Sequence, residues 1–174
     1  MDWATFGKSV MLLLVLLNPF LMSIYLLDLM RDQDLPGLGK ILLRASLISG
    51  AVFALFAVTG DAIFYDVLQV RFASFQLFGG VVFLLIGVRF VFNGPEAIAE
   101  LRGQAEHVAG SVALPFMIGP GTVSASVVIG ARLDAWPAVL AISVALTGAA
   151  VGLLAIKFLH DFVRRRNQAL VERY

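Results

Sequence analysis

The sequence predicts an all-α membrane protein, a polytopic bundle of five transmembrane helices that forms one domain over residues 1–174. Hydrophobic residues make up 60% of the chain and charged residues 14%, whereas soluble domains are roughly 25% charged. Five apolar runs each approach the ~20 residues that cross a bilayer, and the linkers between them are too short for a second domain. The runs lie at residues 9–27, 41–60, 72–92, 108–130 and 137–159.

The first span contains Asn18-Pro19 near its middle. Proline lacks a backbone N–H and its ring clashes with the preceding helical turn, so a continuous helix is disfavoured there. We therefore expect the first transmembrane helix to be broken at this point.

The fourth span carries a stronger interruption, Gly119-Pro120-Gly121. Each glycine costs roughly 1 kcal/mol relative to alanine in a helix interior, and irregular backbone at membrane depth must be buried in protein or line a wet cavity. We expect a second half-helix to begin near Thr122. Two interpretations remain open: a solute-binding break, as in many secondary transporters, and a packing kink.

The two broken spans indicate an internal repeat. Pro19 and Pro120 lie 101 positions apart, and Ser23 and Ser124 keep the same offset. Units of three spans insert with opposite topology, which predicts a 3+3 inverted repeat whose halves cover about residues 1–93 and 107–174.

The second half would lack its third helix. Gly79-Gly80 of the third span has no counterpart 101 positions further on, since the sequence given ends at Tyr174. We expect either a longer chain or a homo-oligomer that covers this position. Glycines at small-residue spacing predict helix-packing contacts, namely at Gly79, Gly80, Gly148 and Gly152.

Basic residues predict the orientation in the membrane. Three of the 13 lysines and arginines, Lys8, Arg71 and Arg132, lie on one side of the predicted bundle, and the remaining ten lie on the other. The N-terminus should therefore face outward and the C-terminus of this sequence the cytoplasm. The net charge of +1 gives no reason to expect a nucleic-acid partner.

Enzyme signatures are lacking. The chain has no cysteine, and no Asp, Glu or His lies near the middle of a predicted span. The serines at membrane depth have no histidine or lysine base at similar depth, as nucleophilic catalysis would need. We expect no enzymatic activity, no metal site and no cofactor.

The chain resembles the MarC family of six-helix bacterial membrane proteins, also known as a neutral amino acid transporter family. The resemblance rests on Asn18-Pro19, Gly60, Gly79-Gly80 and Pro115 with Gly119-Pro120-Gly121. It implies a multi-pass protein of the bacterial inner membrane that exports small neutral amino acids, in contact with the lipid bilayer and a small neutral solute.

A substrate site is expected between the two breaks. A helix N-terminus carries roughly +0.5 of an elementary charge, which suits a solute carboxylate. An alternative function is that of a non-transporting membrane protein acting as a stress-related or assembly partner. The expected substrate-binding residues are Asn18, Pro19, Ser23, Gly119, Pro120, Gly121, Thr122 and Ser124.

Overall fold

The computed structural model describes residues 2–60, 62–67, 69, 71–93, 113 and 117–171. Within these ranges the regular structure is helical and contains no β-strand, so the all-α prediction is confirmed. The helices are α1 (Trp3–Leu17), α2 (Pro19–Tyr25), α3 (Leu27–Asp32), α4 (Leu35–Thr59), a π-helical segment (Ile63–Val67), α5 (Phe72–Asn93), α6 (Pro120–Arg132) and α7 (Ala135–Val171).

Four helical stretches are long and apolar enough to cross a membrane, and they correspond to four of the five predicted spans. The predicted multi-pass bundle is thereby confirmed. The remaining span, residues 108–130, is described only at 113 and from 117 onward, where α6 forms 13 residues of helix. The four stretches are Trp3–Tyr25, Leu35–Thr59, Phe72–Arg89 and Ala135–Arg164.

Short polar signals set the ends of α4. The Asp34 carboxylate accepts a hydrogen bond of 2.9 Å from the Gly37 N–H, and Pro36 occupies the first turn. Both residues suit a helix start, because acidic caps accept first-turn N–H groups and proline needs no hydrogen bond there. Gly60 ends α4 at φ +62°, a backbone conformation that other residues rarely adopt.

The core is centred on α7, against which α1, α2 and α4 pack, while α6 packs against α1, α4 and α5. One stripe of α7 consists of small, fully buried residues at spacings of three or four. Small side chains let neighbouring helices approach closely where hydrophobic burial cannot drive association in a bilayer. The stripe comprises Ala138, Ala141, Ala145 and Ala149.

Two glycine approaches fix the direction of α1 relative to α7. A methyl group on Gly148 would lie 3.4 Å from Leu14 Cδ1, and one on Gly152 would lie 3.3 Å from Pro19 Cβ. Leu14 precedes Pro19 in the first span as Gly148 precedes Gly152 in α7, so α1 and α2 run parallel to α7. The two predicted packing glycines of α7 thus lie against the first span and its break.

A backbone contact joins the ends of α4 and α6. A methyl group on Gly130 would overlap the Ala57 carbonyl, so the two helices meet without a side chain between them. Successive spans cross in opposite directions, so α4 is antiparallel to α1 and α6 is antiparallel to α7. Since α1 and α7 are parallel, α4 and α6 are parallel as well. On α4, a methyl on Gly50 would lie 3.3 Å from Leu146 Cδ1 of α7.

Candidate functional site

The first span is broken at Asn18, as the sequence predicts. Asn18 adopts the left-handed conformation (φ 43°, ψ 76°), and its N–H donates to Leu14 O at 3.0 Å to close α1. Its side-chain Oδ1 accepts from the Leu21 N–H at 3.1 Å, which opens α2 directly behind Pro19. Asparagine suits this position because it tolerates the left-handed region and caps helices. The break is therefore a junction capped on both sides.

The other two predicted residues of the first break contact protein. Pro19 lies against Gly152 of α7. Ser23 is buried at 7% exposure, and its hydroxyl donates to Phe20 O at 2.6 Å. The hydroxyl of Ser23 is thus satisfied within α2, whereas Asn18 is exposed.

The second break lies at Gly119, an extended residue (φ −136°, ψ 168°) that caps α6. The helix begins at Pro120, two residues before the expected start at Thr122. Proline fits the first helical position because its missing N–H would have no partner there in any case. Ahead of the break, the Ile118 N–H donates to Ala113 O at 2.8 Å, a wider turn than that of an α-helix.

The Thr122 hydroxyl ties the break together. It accepts the Gly119 N–H at 2.9 Å and lies 2.8 Å from Met117 O and 3.0 Å from Gly119 O, to which its proton can be donated. Thr122 is 7% exposed. The Ser126 hydroxyl in turn donates to Thr122 O at 2.8 Å. One buried side chain of α6 therefore bonds to backbone groups at the interruption and ahead of it.

Open space remains beside the first turn of α6. Gly121 is exposed, and a methyl group on it would have no atom of the described residues within 4 Å. First-turn N–H groups lack intrahelical acceptors and form the positive end of the helix dipole. Ser124, one turn further, is half-buried. An anionic group has steric access to this helix end past Gly121.

The two breaks lie at similar depth. Gly130 of α6 contacts Ala57 of the parallel α4, and Gly50 of α4 contacts Leu146 of the antiparallel α7. Counting residues from these two contacts, at 1.5 Å per helical residue, places Pro120 level with about Ala149 of α7. Pro19 contacts Gly152, so the two prolines differ by about 5 Å along the bundle. The two breaks thus lie in one layer of the bundle, whereas Ser23 and Ser124, each four residues beyond its proline on antiparallel helices, lie on opposite sides of that layer.

Two further residues in this layer, Ser46 and Ser49 on α4, were not among the predicted site residues. Their hydroxyl oxygens are buried and have no hydrogen-bond partner in the described part of the chain. Leaving such a group unpaired costs roughly 1–3 kcal/mol. The sequence shows two serines three positions apart, but whether a serine hydroxyl turns back onto its own helix depends on a rotamer that the sequence does not reveal.

A separate charged cluster lies further along α7. Lys157 is only 4% exposed, and its Nζ lies 2.8 Å from Asp161 Oδ2. His160 Nδ1 is 3.4 Å from Asp161 Oδ1. Lys157 is five residues beyond Gly152, about 8 Å further along α7 than the first break. The ion pair therefore neutralises a buried lysine away from the layer of the breaks.

Comparisons with known proteins agree with this architecture. The family model described as MarC family integral membrane protein matches residues 3–173. A UPF0056 membrane protein of Pyrococcus horikoshii is 28% identical over 127 residues, which cover 72% of this chain and 62% of that protein. A UPF0056 membrane protein of Aquifex aeolicus is 23% identical over 139 residues, or 74% and 63%. These matches span less than two thirds of either relative, and no solved structure matches the chain.

Proposed function

The chain belongs to the MarC family of integral membrane proteins, and from this premise we propose that it is a secondary transporter that exports small neutral, zwitterionic solutes such as small neutral amino acids. The observation that carries the proposal is the pair of capped helix breaks, at Asn18 and Gly119, in one layer of the bundle. Discontinuous helices at membrane depth form the substrate sites of many secondary transporters.

The chemistry of each break supports the binding of a zwitterionic solute. The open first turn of α6 beside Gly121 suits a carboxylate, because helix-terminal N–H groups and the dipole favour negative charge. On the other side, Asn18 Oδ1 accepts one hydrogen bond from Leu21 and retains a second lone pair for an ammonium group. A solute with both charges and little bulk fits this pair of ends.

The setting of the proposed transporter follows from the charge distribution. We propose a location in the bacterial inner membrane, as the resemblance to the MarC family implies, and an outward-facing N-terminus, because ten of the 13 basic residues lie on the opposite side of the predicted bundle. In this proposal the protein carries solute and performs no catalysis. A homo-oligomer that covers α5 stays a prediction.

Uptake of labelled L-alanine or L-serine by proteoliposomes containing the purified chain tests the proposal. Gly121→Leu should abolish uptake by filling the space beside the α6 N-terminus. Gly87→Leu is the matched control, because a methyl group on Gly87 would also meet no described atom within 4 Å, but Gly87 lies on α5.

Two outcomes would contradict the proposal. No uptake of either amino acid by the wild-type chain would leave the non-transporting alternative. Normal uptake by well-inserted Gly121→Leu would reduce the second break to a packing kink.

A further inference from the structure

Ser46 and Ser49 stand out from the other hydroxyl residues of the bundle. Thr59, Ser143 and Thr147 each donate to the carbonyl four residues earlier on their own helix. Ser46 and Ser49 have the same option on α4, yet their buried hydroxyls have no partner among the described residues. Ser49 is fully buried, at 0% exposure. Most buried polar side-chain atoms in proteins have a hydrogen-bond partner, so the pair calls for a partner that the described residues do not supply.

The two hydroxyls lie level with the second break. Counting back from the Ala57–Gly130 contact along the parallel helices α4 and α6, eight residues lead to Ser49 and Thr122. Three more residues place Ser46 level with Gly119. Residues three apart on a helix are neighbours on one face, so both serines belong to the layer in which α6 begins.

We infer that Ser46 and Ser49 form, together with the N-terminus of α6, the subsite that binds the carboxylate of the transported solute. The inference rests on the proposed function and extends it to a second helix. A carboxylate accepts hydrogen bonds only and has about four lone-pair sites. Two hydroxyl donors on α4 and the first-turn N–H groups on α6 match this demand. Thr122 does not compete for the ligand, because its hydroxyl is already bonded to the backbone of the break.

The test compares the double variant Ser46→Ala/Ser49→Ala with Ser143→Ala, a control that removes a single hydroxyl on the exposed face of α7. The readouts are the KM for labelled L-alanine in proteoliposomes, its inhibition by propionate and by propylamine, and the melting temperature in mild detergent. Propionate carries the carboxylate alone and propylamine the ammonium alone.

We expect the double variant to raise the KM at least about tenfold, as for the loss of hydrogen bonds to a charged group. Inhibition by propionate should weaken in parallel, while inhibition by propylamine stays unchanged. The melting temperature should stay level or rise, since two buried unpaired hydroxyls are removed. Ser143→Ala should keep the wild-type KM.

Each other outcome overturns the inference. An unchanged KM in the double variant would mean that the hydroxyls hold water only, and a lower melting temperature would mean a structural role. Equal propionate inhibition in the wild type and the double variant would remove the carboxylate from this subsite. Absence of uptake by the wild type would overturn the proposed function itself and this inference with it, and is therefore distinguishable from the other results.

Discussion

Gly79 and Gly80 are neighbours on α5, but only one of them contacts the second break. A methyl group on Gly79 would overlap Cβ and Cγ of Pro120 and lie 3.5 Å from its Cα, whereas one on Gly80 would meet no atom of the described residues within 4 Å. The substitutions Gly79→Ala and Gly80→Ala therefore form a matched pair on one helix.

The helix propensity gained by the two substitutions is the same, about 1 kcal/mol in favour of alanine, and cancels in the comparison. What remains is the overpacking at Gly79, typically about 1–3 kcal/mol. Pro120 is held by the start of α6 and cannot rotate away as a flexible side chain would. We expect Gly80→Ala to be stabilising and Gly79→Ala to be less stable than Gly80→Ala by this overpacking term.

Thermal unfolding of both variants in mild detergent, followed by circular dichroism, measures the difference. For chains of this size, each kcal/mol shifts the melting temperature by roughly 2–4 °C. Equal melting temperatures for the two variants, both at or above that of the wild type, would refute the close approach of α5 to the break. Equal destabilisation of both would show that the two glycines share one packing role.

Three further outcomes are expected. Thr122→Val should lower the free energy of unfolding by about 1–3 kcal/mol, because it removes the hydroxyl at the break. Thr122→Ser keeps a hydroxyl and should retain most of the wild-type stability. Equal stability of the two variants would contradict the hydrogen bonds of Thr122. The pKa of Asp2 is lowered, most strongly by the hydrogen bond from the Thr5 hydroxyl and next by those from the Ala4 and Thr5 N–H groups. The carboxylate cap on α1 is therefore fully formed at pH values above the ordinary aspartate pKa, and it is lost as the pH falls through the lowered pKa. The amide shifts of Ala4 and Thr5 should titrate at that low pH, and Asp2→Asn should remove the titration. Reporter fusions after Arg164 should be active in the cytoplasm, and activity only in the periplasm would reverse the orientation.

Both helix breaks could be predicted because their cause is local. Asn18-Pro19 and Gly119-Pro120 interrupt a helix through missing N–H groups and backbone freedom, whatever surrounds them. The start of α6 was expected at Thr122 and lies at Pro120. The difference arises because proline, a breaker inside a helix, is favourable at its first position. Thr122 then bonds across the break as the third residue of the helix.

The features that depend on helix rotation and on rotamers could not be predicted. The sequence treats Gly79 and Gly80 alike, but the rotation of α5 directs only one of them at Pro120. The unpaired hydroxyls of Ser46 and Ser49 depend on side-chain torsions. The burial of Lys157 depends on which face of α7 meets its neighbours, although the spacing to Asp161 permits the ion pair.

The backbone contact between Gly130 and Ala57 has a mechanical consequence for α6. With no side chain between the helices, this point acts as a fulcrum, and Pro120 lies ten residues away, about 15 Å along α6. A tilt of about 10° around the fulcrum would displace Pro120 by about 3 Å, which is about the diameter of a water molecule. Near Gly130 the same tilt leaves the spacing almost unchanged, so a tilt of α6 would be felt mainly at the break, where Pro120 packs against Gly79.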